Sequence, residues 1–266
     1  MAPAIDFETE FPKTTSTYLS PQQRDQVFRK LKRVVVIVNT KLVEHDSKFY
    51  GGKHGKPRNS NDTDAMDRRG AGVILDKNGT ILTTAYLVPD KLHSIHVRRE
   101  NEGSWEAKAV VRNPKLDLAI LVPKKKVYGY DFARLDSAES FHVGKEVLSI
   151  RHPLDLSYTS GIGQLACEDF RIFRDVRDNK KMASLRSEKL DDDLKLLQIN
   201  NCHGSSSGAP VFNASGLVIG LTSFVSERFD FAVHLTVLRQ FYKSYQDEKG
   251  EEMGKPSMKR KALSIS

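Results

Sequence analysis

The sequence predicts an all-β protein with a helix at either end of its ordered part, on three observations. Short apolar, β-branched runs recur along most of the chain, turn pairs such as Asn78-Gly79 and Ser215-Gly216 punctuate them, and helical periodicity is confined to two stretches that flank the rest. Short strands at close spacing imply a sandwich or a barrel.

The elements follow in chain order. Residues 1–20 read as a flexible segment. Ser20 is placed as an N-cap and Pro21 at the first helical position, with apolar Val27, Phe28 and Leu31 following, so a short helix opens the ordered part. Strands are expected at Val34–Val38, Gly72–Leu75, Ile81–Thr84, Ser94–Val97, Lys108–Val111, Leu118–Val122, Glu146–Ile150, Leu196–Ile199, Ala209–Phe212 and Leu217–Thr222. Gly51–Arg69, poor in apolar residues, reads as a long loop, and Glu168–Asp193, dense in both charge signs, as an exposed excursion. Val237, Leu238, Phe241, Tyr242 and Tyr245 are spaced as one face of a closing helix; residues 248–266 read as a disordered basic tail.

The chain has 266 residues, 39% of them hydrophobic and 29% charged, which gives room for one large domain or two small ones and excludes a wholly disordered chain. No apolar run approaches the roughly 18 to 20 residues of a membrane-spanning helix, so no membrane partner is expected. Two cysteines, Cys167 and Cys202, make no disulfide framework and no zinc spacing, and Asp6, Glu8 and Glu10 argue against a targeting peptide. An intracellular setting, cytoplasm or nucleus, is the expectation. The net charge of +8 is concentrated in Arg24–Arg33, Lys124–Lys126 and the tail residues Lys255, Lys259, Arg260 and Lys261. Such clusters are solvated faces or, in the tail, a weak polyanion contact or import signal.

The most informative segment is Leu197 to Phe212, in which Asn201-Cys202-His203-Gly204-Ser205-Ser206-Ser207-Gly208-Ala209-Pro210 precedes a strand, a Gly216 turn and a second strand. It resembles the nucleophile loop of trypsin-like serine proteases, in particular the Do-like (HtrA-type) branch, with Ser207 at the nucleophile's place. Gly70–Leu75 with Gly79–Ala85 looks like the hairpin leading to that family's catalytic histidine, and Asn113–Leu121 is similar to the segment bearing its aspartate, here Asp117. Val143-Gly144 to Ile150, Pro153 and Ser160-Gly161-Ile162 follow the start of the second barrel, and Phe231-Ala232-Val233 resembles the strand entering the last helix. The resemblance covers about Arg33 to Tyr245. It implies two six-stranded antiparallel β-barrels: the first with its leading helix in 21–133, the second with the closing helix in 134–247. No appended peptide-binding module is recognised, and the family chemistry implies no cofactor and no metal.

Two departures matter. Where the family has histidine, this chain has Tyr86. The family's imidazole takes the serine proton and returns it to the leaving amine, which needs a pKa near neutrality; a phenol, ordinarily near 10, is the wrong base and would tend to hydrogen-bond the serine instead. The oxyanion loop, Ser205, Ser206 and Gly208 around Ser207, has Ser205 where the family has glycine. His203, His93, His96 and His234 do not hold the family position, and Cys202 is a small buried residue rather than a nucleophile. Three functions stay open: an inactive or severely impaired protease homologue whose cleft binds a peptide or unfolded segment, an active serine endopeptidase with a non-standard base, and a nuclear or polyanion-associated adaptor.

Overall fold

The structure, a computed structural model, describes residues 18–42, 68–89, 93–100, 102–125, 129–153, 156–171, 190–200, 206–226 and 229–254. Residues 1–17 of the expected segment 1–20, most of the loop (51–67), the body of the excursion (172–189) and residues 255–266 of the tail lie outside them, as do Cys202, His203 and Ser205.

Helix α1 (Pro21–Leu31) starts as its sequence predicts: Ser20 Oγ accepts from Gln23 N and the Gln23 side chain accepts from Ser20 N, a reciprocal capping box. Val27 and Leu31 bury its inner face, and Leu19 just before it is buried as well. Arg24 and the backbone N–H of Leu19 both reach the Glu146 carboxylate, tying this helix to the second half of the chain.

Strands β1 (Val35–Leu42), β2 (Arg68–Ile74), β3 (Ile81–Thr83), β4 (His93–Arg98), β5 (Ser104–Asn113) and β6 (Leu118–Pro123) close one antiparallel barrel in the order β1-β2-β3-β6-β5-β4. β7 (Glu146–Arg151), β8 (Thr159–Phe170), β9 (Leu196–Asn200), β10 (Pro210–Phe212), β11 (Val218–Ser226) and β12 (Phe229–His234) close a second, in the order β10-β11-β12-β9-β8-β7. Helix α2 (Leu235–Gly254) follows β12 directly. The two expected barrels and both flanking helices are therefore present.

Alternation along each strand sorts the side chains. Val36, Val38, Ile74, Ile81, Val97 and Leu121 fill the first barrel, and Val147, Leu165, Leu197, Ile199, Val211 and Ala232 the second. The opposite faces, with Val35, Ile37, Leu148, Ile150 and Phe231, merge with helix residues such as Leu238 into one larger core. Among the described residues no helix is long and apolar enough to cross a membrane.

Three expected bounds are corrected. Arg68 and Arg69 belong to β2, paired with Thr40 and Asn39, not to the loop. β8 is a long strand that period-2 reading misses, because register shifts between Leu165, Cys167 and Phe170 break its alternation; it carries Glu168–Phe170 out of the expected excursion. Helix α2 runs on to Gly254, so residues 248–254 are helical rather than tail: Glu248, Lys249, Glu251 and Glu252 are adequate helix formers that carry no apolar stripe.

Candidate active site

Tyr86 lies in a single 3-10 turn (Ala85–Leu87) directly after β3, and Asp117 ends the turn between β5 and β6. Asp117 is held in the left-handed region, φ +50°, with its N–H bound to Pro114 O at 3.2 Å. This uncommon backbone conformation aims the carboxylate inward, where it is 4% exposed. One carboxylate oxygen accepts the backbone N–H of Tyr86 at 2.9 Å and the other the hydroxyl of Ser223 at 2.5 Å.

Ser207 sits in the turn before β10, and Gly208 makes that turn possible. Its φ is +78°, its N–H donates to Thr222 O at 2.8 Å, and an added Cβ would lie 2.0 Å from Ala71 O. Ser207 O in turn accepts from Ala71 N at 2.8 Å, so the serine turn of the second barrel is docked on β2 of the first. Ser206 is buried, its hydroxyl accepting from His152 N at 3.1 Å.

The structure brings Tyr86, Asp117 and Ser207 together through Ser223. Ser207 Oγ donates to Ser223 O at 3.3 Å, while Ser223 Oγ donates to Asp117. The expected hydrogen bond from a tyrosine hydroxyl to the serine is not found among the described residues. The ring is held elsewhere: the Arg68 guanidinium lies 4.6 Å from the Tyr86 ring centroid and also donates to the Tyr86 carbonyl. Arg68 is itself 6% exposed.

Sequence reasoning missed Ser223, Arg68, Arg151 and His152. Ser223 falls one residue past the expected end of its strand. Arg68 was placed in a loop. Arg151, a charge closing the apolar run from Val147 to Ile150, is the one signal that stood in plain view. His152 is 1% exposed, and its Nδ1 accepts from Tyr158 N at 3.0 Å. Burial first, then the Arg69 cation, pushes it down to about 3. His234 ends β12; its Nδ1 accepts from Thr236 N at 3.1 Å, and burial, then Lys195, lowers it to about 4. Both imidazoles are neutral and committed to backbone. Among the described residues no three His, Cys, Asp or Glu side chains cluster as a metal site would require.

The chain is similar to known proteins. The trypsin-like peptidase domain family matches residues 70–221, which span Tyr86, Asp117 and Ser207. Serine protease HTRA1 of Xenopus tropicalis is 27% identical over 197 residues, 74% of this chain and 40% of that protein. A probable periplasmic serine endoprotease DegP-like of Marinomonas sp. (strain MWYL1) is 27% identical over 160 residues, 60% of this chain and 30% of that protein. Its counterpart in Pseudomonas putida (strain W619) is 29% identical over 166 residues, 60% and 29% respectively. The chain thus spans less than half the length of these curated relatives.

Proposed function

We propose, from the premise that this chain belongs to the trypsin-like peptidase family and carries an HtrA/DegP-like serine protease-type domain, that it does not hydrolyse peptides and instead binds an extended segment in the cleft beside Ser207. The observation that carries this reading is the environment of Tyr86: its N–H is bound to Asp117, its ring lies under Arg68, and Ser207 Oγ is left donating to a backbone carbonyl. Among the described residues no group is placed to take the proton of a serine in that state. Loss of a triad base costs on the order of 10⁶ in turnover, about 8 kcal/mol of barrier.

Binding is supported by the edge of β11. β10 covers it by strand pairing from Val218 to Leu221, and the serine turn reaches Thr222. Past that point β11 pairs with β12 alone among the described strands. A peptide laid along Ser223 and Val225 would add a strand there, next to Ser207.

Incubation with casein and with a fluorophosphonate probe tests the reading: neither turnover nor labelling is expected. Turnover that disappears in Ser207→Ala overturns it and makes the chain an endopeptidase with a non-standard base. Tyr86→His should restore labelling, because Asp117 is already in place to orient an imidazole. If it does not, and Tyr86→His with Ser205→Gly does, the oxyanion loop is the second lesion.

A further inference from the structure

The second barrel ends, on the side of the serine turn, in a buried ion pair that the family chemistry does not use. Arg151 closes β7 opposite Thr159, and Asp230 stands near the start of β12 between Val225 of β11 and Ile199 of β9. Alternation puts Arg151 on the face of Val147 and Asp230 on the face of Ala232, both of which belong to the barrel interior. Arg151 Nη2 and Asp230 Oδ2 are 2.6 Å apart, and each side chain is 2% exposed.

The serine turn roofs this end of the barrel. Ser149 Oγ, two residues before Arg151, donates to Pro210 O at 2.9 Å, and His152, the residue after it, donates its N–H to Ser206 Oγ at 3.1 Å. Asp230 approaches from below, directly across from Val225 on the strand edge beside Ser207.

A peptide on that edge alternates its side chains, and those turned toward the barrel face the ion pair. A bulky side chain could enter only by separating the two charges, which would break a buried ion pair. We infer that the Arg151–Asp230 pair closes the floor beneath Ser207 and restricts the cleft to segments bearing glycine, alanine or serine at the residue lying against Ser207. This rests on the peptide-binding reading above and names the class of peptide it takes.

The test selects binders to the full chain from a displayed library of random short peptides, then replaces each position of a binder in turn by phenylalanine. One position should be found, occupied by a small residue, where phenylalanine weakens binding by about tenfold or more. In Arg151→Ala with Asp230→Ala, which removes both charges and opens the floor, that penalty should vanish. Binders in which wild type accepts phenylalanine at every position overturn the inference, and this scan decides even where the double variant fails to fold. If no peptide is enriched, the peptide-binding reading falls, and the floor is judged by itself with indole soaked into crystals of the full chain: indole seated beneath Ser206–Gly208 in wild type overturns it, and its exclusion there upholds it.

Discussion

Each barrel buries an arginine at its cleft end, and among the described residues the two meet different groups. In the first, Arg68 lies on the interior face of β2 with Ile74 and rests against the ring and carbonyl of Tyr86. In the second, Arg151 meets a carboxylate. Of these described contacts, a ring face and a carbonyl dipole attract a cation less strongly than a buried carboxylate does. The difference distinguishes the two ends of the cleft, since changing Arg151 or Asp230 alone breaks a buried ion pair.

The largest expected effect comes from breaking that pair. Arg151→Ala alone removes the cation paired with the buried Asp230 carboxylate and should cost about 3–5 kcal/mol in urea denaturation. A loss below about 1 kcal/mol would mean that water reaches Asp230 and that the two ends are alike.

Asp117→Ala should come next. It removes the acceptor for both Tyr86 N and Ser223 Oγ and leaves two inward-facing donors unmatched, at about 2–4 kcal/mol by the same measurement. Arg68→Ala, which removes a cation–π contact and a hydrogen bond to a carbonyl, should cost only about 1–2 kcal/mol. The ordering of Arg151 above Arg68 is what the comparison stands on, and reversed values would break it.

Acid should weaken the fold through two buried imidazoles. His152 and His234 are held neutral, at about 3 and about 4 against an ordinary 6.5, so the unfolded chain binds more protons than the folded one between those values. Stability contributed by keeping them neutral is complete above pH 6.5 and declines as pH falls toward 4 and then 3. His152→Asn with His234→Asn should flatten the fall in denaturation midpoint between pH 6.5 and 4.5; an unchanged slope would assign it to the carboxylates. The smallest effect is expected from deleting residues 255–266, a segment without an apolar periodic face that follows the end of α2. The melting temperature should move by about 1 °C or less, read by calorimetry, whereas a large drop would tie that segment to the barrels.

The strand runs, the capped first helix and the order of the segments around Tyr86, Asp117 and Ser207 were legible in the sequence because they depend on local chemistry: β-branched runs, a Ser-Pro start, a Gly-rich serine turn. That position 86 holds a tyrosine was equally legible, since it is a matter of identity at one position. What only the tertiary structure decided is which groups those residues meet. Ser223 reaches Asp117 across 106 residues, Arg151 and Asp230 share a barrel end from strands far apart in the chain, and Arg68 claims the ring that sequence alone assigned to the serine. Barrel closure brings such partners together through long-range strand register, and no local pattern encodes register when bulges such as those in β8 and β11 shift it.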